Sequence, residues 1–318
     1  MSKLQEALDF AIRDSEIKND KTKFGYVING KPYNNYLSKD AWKSFLKQMS
    51  VLHEAQYRDG NGGELEEKKG RYGLYPPKMA SFGSSSRMIY EASKNIKGFV
   101  FEKQLPTRVG HIANLDGFLS KGCKKYVEAK CREIYDSHKT VKISNVYTKV
   151  YDFISENYEP FSYENNYAYK DEDYFNCTFK YKGEKIEHFD IKQLICHFLG
   201  IAADILENDN YMPVNFIYFI YNPEHIKDYI AEGFRHAIID SYKATIEEID
   251  QWNGFKDLFN TILEYQEQKY GPRKKEVEFE FTRADQSNYT QQFECPSSTD
   301  PIEEVHNAVR DAGFRIGD

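Results

Sequence analysis

Between Gly98 and Tyr221 the hydrophobic period changes from two to helical and back, and this limits the folds open to the chain. Gly98–Leu105, His111–Leu119 and Lys125–Ile134 alternate apolar and polar residues, with only Pro106–Gly110 and Ser120–Gly122 between them. Such runs joined by short turns read as an antiparallel meander. Farther on, Leu194, Ile195, Phe198, Leu199, Ala202, Ile205 and Leu206 form one broad helical stripe. Asp190 precedes it as a candidate N-cap, and Gln193, three residues later, gives the spacing of a capping box. Val214–Tyr221 is then almost continuously apolar, as expected of a strand buried on both faces. A helix starting at Ser84–Ser86 and running to about Asn95 completes the order αβββαβ. The expected class is α/β, a mixed sheet flanked by helices.

The flanks read less sharply. Residues 3–17 have helical spacing, and a single helix is expected from Lys39 to Arg58 with Ser38 as its N-cap. From Asp59 the chain turns Gly-rich, then charged, then Pro-containing, which predicts a long loop, a lid or a disordered segment. Residues 139–170 show no clean period, while Phe175–Ile186 reads as a hairpin turning at Lys182 and Gly183. Helical periods return over about 223–268, and GPRKKEVEFEFTR adds a basic turn and a strand. The expected organisation is a 1–83 segment of helices and loop, a core at 84–222 with an insertion at 139–187, and a helical extension at 223–318, in one compact unit.

Composition removes several classes. The 318 residues carry a net charge of −7 and no apolar run near the roughly 20 residues of a membrane span. The N-terminal MSKLQEALDFAIRDSE lacks the apolar region of a signal peptide, so a cytoplasmic protein away from membranes is expected. Cys123, Cys131, Cys177, Cys196 and Cys295 are scattered without a CxxC, which speaks against a disulfide framework or a zinc ribbon. Charge is segregated. Residues 121–150 hold eight bases against three acids, and 151–190 hold ten acids against four bases.

No phosphate-binding glycine loop, nucleophile elbow or HExxH is present. What remains is a constellation of Asp116 in the second strand with Glu128 and Lys130 in the third. Residues i and i+2 of a strand share a face, so Glu128 and Lys130 point together, while Val127, Ala129 and Cys131 point the other way. Pairing through the Ser120–Gly122 turn brings Asp116 near Glu128. Neighbouring carboxylates repel unless a hard divalent cation holds them, and a lysine beside them could neutralise a phosphate oxygen. The plain alternative is a solvated strand face of alternating charge.

The strings ANLDGFL…YVEAKC, FEKQLPTRVGHIANLDG, EAKCREIY, DIKQLICHFLG and FIYFIYNP resemble the PD-(D/E)XK nuclease superfamily, and within it a restriction-endonuclease family. The likeness covers roughly residues 84–222, with Leu115-Asp116 in place of Pro-Asp. It implies a restriction-endonuclease-like core and Mg²⁺-dependent hydrolysis of DNA phosphodiester bonds for restriction or repair, with Mn²⁺ as an alternative ion. By the same likeness Asp116 and Glu128 would bind the metal and Lys130 would assist the attacking water. A third acid would come from Glu102 or Glu91, and Gln193 would support the site. His197 shares the helix face of Gln193 and could line the same groove. The basic stretch 121–150 and the Arg273–Lys275 turn are candidate DNA contacts. A homodimer and a partner methyltransferase stay open. The competing expectation is a catalytically inactive member of the fold that binds nucleic acid or a protein partner.

Overall fold

In the computed structural model the described residues are 2–60, 63–70, 73–135, 140–171 and 173–293, with backbone alone for 166–171. Lys139 of the basic stretch, Cys295 and the end of the expected extension, 294–318, lie outside them. The chain opens with α1 (Lys3–Ile17), capped by a Ser2–Gln5 capping box. A small hairpin of β1 (Phe24–Ile28) and β2 (Lys31–Leu37) follows. The single helix expected over Lys39–Arg58 is two, α2 (Lys39–Gln48) and α3 (Val51–Asp59). Met49 is extended, and the Ser50 side chain accepts from His53 N at 3.1 Å, so a second serine cap restarts the helix. The long loop holds a short hairpin, β3 (Lys68–Gly70) and β4 (Gly73–Tyr75), before α4 (Ser85–Ser93).

The meander is β5 (Val100–Pro106), β6 (Ile112–Lys121) and β7 (Cys123–Lys130). The third strand stops short of the expected Ile134 because Cys131 N turns to Glu133 Oε2 at 2.9 Å and a 3₁₀ turn follows. The region without a clean period folds as β8 (Val141–Ser144), α5 (Thr148–Asn157) and β9 (Phe161–Asp171). With β10 (Tyr174–Tyr181) and β11 (Glu184–Lys185), which turn at Lys182 and Gly183, these strands make a second antiparallel sheet. Next come α6 (Ile191–Glu207), β12 (Val214–Ile220), α7 (Glu232–Gln251), α8 (Phe255–Tyr270) and β13 (Phe279–Ala284).

The central sheet is mixed, in the order β13-β12-β7-β6-β5. β7, β12 and β13 run parallel, whereas β5–β6 and β6–β7 are antiparallel. The strand after the basic turn thus extends the sheet beyond the core boundary expected at 222. β12 lies between two parallel neighbours and is buried on both faces, with Phe216, Tyr218 and Ile220 in one core and Ile217, Phe219 and Tyr221 in the other. The first core holds α6, α8 and the apolar side of the insertion; the second holds α1 to α4. Among the described residues no helix is long and apolar enough to cross a membrane.

The seat of α6 on the sheet is set by Gly200. A methyl group there would stand 2.9 Å from Ala113 Cβ and 3.0 Å from Leu105 Cβ, so the helix backbone lies directly on β5 and β6. Leu194, Phe198 and Ile205 are buried beneath it, Phe198 completely. In an ordinary helix Gly→Ala stabilises by about 1 kcal/mol. At Gly200 the collision outweighs that gain, and Gly200→Ala should destabilise by about 1–3 kcal/mol in urea unfolding. A more stable variant would mean that α6 does not sit on β5 and β6 at this point.

Candidate functional site

The register between β6 and β7 runs from Lys121↔Cys123 to Gly117↔Val127 and stops. From there β6 keeps β5 as its neighbour, and β7 continues along β12 through Tyr218↔Glu128 and Ile220↔Lys130. The next place in the β6–β7 ladder would set Asp116 against Glu128. Instead the Asp116 side chain enters it, and its Oδ2 accepts from Ala129 N at 2.6 Å. A carboxylate thus replaces a backbone carbonyl as the partner of this buried N–H.

Glu128 and Lys130 project together toward α6 and are almost wholly buried, at 3% and 7% exposure. Lys130 Nζ lies 2.7 Å from Glu128 Oε1 and donates as well to Gln193 Oε1, one turn into α6. The Asp190 side chain caps this helix by accepting from Gln193 N at 3.0 Å. The capping box is therefore half made, because the Gln193 amide is given to Lys130.

His197, one turn further, is also buried. Its Nε2 lies 3.0 Å from Asn114 O, and a carbonyl can only accept, so Nε2 carries the proton. Burial, helped by the Lys130 charge, pushes its pKa down to about 3, so the ring is neutral. The Nδ1 lone pair then faces Glu128 Oε2 at 3.6 Å, and neither atom has a hydrogen-bond partner.

On the other side of the gap stands Glu102. The expected alternation along β5 breaks there, since Phe101 packs in one core and Leu105 in the other. Glu102 has φ +53, a conformation that costs a non-glycine residue about 1 kcal/mol or more. Burial, then the charges of Asp116, Glu64 and Glu128, raises its pKa to about 8. Glu91, the other candidate for the third acid, is exposed on α4 and paired with Lys94, away from this cluster.

Glu64 was not among the expected residues. It comes from the Gly-rich loop, is 5% exposed, and lies 3.0 Å from Lys78 Nζ. Its one sequence signal is local, an acid followed by Leu65 directly after the glycines; Leu65 is buried and anchors the loop. Gly60 brings the end of α3 against the site, since a methyl group there would lie 2.9 Å from Glu102 Cβ. The neighbouring Gln56 Oε1 accepts from Phe101 N at 3.1 Å, covering the edge of β5 where it twists.

Electrostatically the cluster is over-supplied with acid. Burial first, then Glu128, drives the Asp116 carboxyl well above the usual range against the opposing Ala129 N–H and Lys130. Burial raises Glu128 to about 7 although Lys130 opposes it. Burial disfavours the Lys130 ammonium, yet Glu128 and weaker neighbours outweigh it and hold the charge. Among the described residues no three His, Cys, Asp or Glu side chains converge as a ready-made metal cage. Carboxylate oxygen is nevertheless the donor a hard divalent cation takes; here Glu128 raises the pKa of Asp116, both raise that of Glu102, and the buried Glu128 Oε2 has no donor.

Part of the basic stretch is used inside the fold, while Lys121, Lys142 and Lys149 stay exposed. Lys124 pairs with Asp204 at 2.9 Å, Arg132 with Asp9 at 3.0 Å, and Lys125 donates to Gln292 O. At the second basic turn Lys274 pairs with Asp209, and Arg273 lies between Glu267 and Glu276. From 121–150 only Lys142 of the described bases lines the cavity beside α6, together with Lys192. No known protein-family profile, curated protein or solved structure matches this chain.

The Glu102 carboxyl supplies a pH test. With its pKa raised from 4.5 to about 8, the native state keeps a proton that the unfolded chain releases. The resulting stability is complete below about pH 4.5 and is lost as pH rises through about 8. Glu102→Gln keeps a neutral group throughout. Without divalent cations, the Tm difference between Glu102→Gln and wild type should become more favourable to the variant from pH 5 to pH 9. A constant difference would place the titration of Glu102 outside this window.

Proposed function

We propose that the chain is a Mg²⁺-dependent endonuclease hydrolysing DNA phosphodiester bonds for restriction or repair, built on the restriction-endonuclease-like core that its sequence resembles. The observation that carries this reading is that Asp116 enters the opening where β6 and β7 part, beside the buried Glu128–Lys130 pair that Gln193 positions, with Glu102 close enough to feel both carboxylates. Asp116 and Glu128, with Glu102 as third acid, would hold Mg²⁺ or Mn²⁺. The ion supplies charge neutralisation at the phosphate and lowers the pKa of water. Lys130, fully charged, would bind a non-bridging phosphate oxygen and stabilise the charge that builds there during attack. Gln193 fixes the direction of its ammonium. His197, neutral and anchored to Asn114 O, lines the far side of Glu128 without adding a positive charge or a donor there.

A second reading has its own support. Lys130 already pairs with one oxygen of Glu128, Ala129 N donates to one oxygen of Asp116, and no three metal donors converge among the described residues. A catalytically silent protein of this fold, binding nucleic acid or a partner, is consistent with that arrangement.

Cleavage separates the two. Purified protein with Mg²⁺ should nick or cut plasmid DNA, and chelation should stop it. Asp116→Asn and Glu128→Gln should each slow cleavage about 100-fold or more, the scale on which lost transition-state electrostatics is felt. Lys130→Ala should lose cleavage while still binding Mn²⁺ by electron paramagnetic resonance. Glu102→Gln should impair cutting, whereas Glu91→Gln, altered on an exposed helix face, should cut normally. Wild-type rates from Asp116→Asn would reject this site.

A further inference from the structure

Between the insertion and α6 lies a cavity of about 440 Å³, within the range of small-ligand sites. Its inner end is formed by Gln193 and His197, the residues that hold Lys130 and face Glu128. Its outer wall comes from the insertion. The Tyr147 ring is stacked on His111 with an interplanar angle of 4° and centroids 5.4 Å apart. Tyr174, 38% exposed at the rim, has Lys142 Nζ 4.4 Å from its ring centroid. Asn114 and Ser144 add polar edges; Lys192, whose Nζ donates to Lys142 O, is a second cation beside the N-terminal turn of α6, and the one acid in the lining, Asp190, accepts from Gln193 N.

Aromatic faces, hydrogen-bonding edges and cations at the mouth together suit a planar heterocycle carrying a phosphate. Stacking provides affinity that any base can use, and the cations follow the backbone. The link through Gln193 and His197 sets the distance of the occupant from the candidate catalytic cluster at one side chain. We propose that this cavity receives an unstacked nucleobase of the DNA strand, next to the phosphate addressed by Lys130, and that the insertion is the element that selects substrate. This rests on the nuclease reading for the identity of the strand, but it concerns binding and needs no chemistry. Enzymes that engage a single base commonly take it out of the stack into such a pocket, at a cost that is least in single-stranded or mismatched DNA.

The test uses full-length Asp116→Asn protein without divalent cations, so no strand is cut. The probe is a short single-stranded oligodeoxynucleotide containing 2-aminopurine, with deoxynucleoside 5′-monophosphates as the comparison. Binding should quench or enhance 2-aminopurine fluorescence, and the oligonucleotide should bind tighter than any monophosphate. Adding Tyr174→Ala, at a rim position whose loss leaves the core intact, should weaken oligonucleotide binding about tenfold and remove the fluorescence change. Tyr147→Ala carries a risk to folding because this ring is buried. Ser144→Trp is the second variant, since Ser144 makes no side-chain cap and a large ring there would fill the cavity from the insertion side. Unchanged affinity and fluorescence in both variants, no oligonucleotide binding by the parent, or tighter binding of a monophosphate would each overturn the proposal. Failure of wild type to cleave, with Tyr174-dependent binding intact, would defeat the catalytic reading and leave the pocket standing.

Discussion

The hydrogen bond from Ala129 N to Asp116 is where the central sheet stops being a continuous ladder. Beyond Val127, β7 gives up β6 and keeps only β12, while β6 stays with β5. Had the backbone pairing continued, Asp116 and Glu128 would face each other as an ordinary cross-strand pair of like charges, a destabilising arrangement. Opening the ladder lets one carboxylate turn inward to serve the backbone and sends the other toward α6. The approach of α6 at Gly200 follows, as do the places of Gln193 and His197 along the opening.

Such a cluster opposes folding. Burying carboxylates together costs free energy unless each finds a donor or gains a proton, and the raised pKa values of Asp116, Glu102 and Glu128 express that cost. The surrounding cores offset it. Phe101, Tyr126, Phe198, Phe216 and Phe219 are among the largest fully buried side chains and lie on the strands and helix that frame the gap. The locally unfavourable chemistry of the cluster is thus carried by a well-packed scaffold.

The sequence disclosed those parts of the fold whose signals are local. The alternation of β5 to β7, the Asp190 cap, the apolar stripe of α6 and the run of β12 each depend on residues within one element, and each element is found. The break after Met49 was written only in Ser50, a cap lying inside an otherwise helical pattern. Residues 139–170 gave no single period because β8, α5 and β9 follow one another within them, each too short to set a pattern across the segment. For the site, Asp116, Glu128 and Lys130 follow from strand parity and a tight turn. Glu64 does not, since its burial depends on a loop that only tertiary contacts hold in place. Glu102 was placed on a regular strand face, and its positive φ could not be seen because nothing in the residue itself asks for it. Charge counted along the chain does not show which basic residues the fold uses internally, as Lys124, Lys125 and Arg132 are.

Chain order gives the parallel β7–β12–β13 arrangement a consequence for synthesis. β7 is made early, but its β12 edge has no partner until residues 214–220 have followed, and β12 waits in turn for 279–284. Pairing across such sequence separations is slow, because loop entropy is lost before contacts compensate for it. On the ribosome, Glu128 and Lys130 of the meander therefore emerge before α6 and β12, the elements that bury them, have been made. The assembled cluster is a late product of folding, and any chemistry it performs is withheld from the nascent chain until most of the protein has been translated.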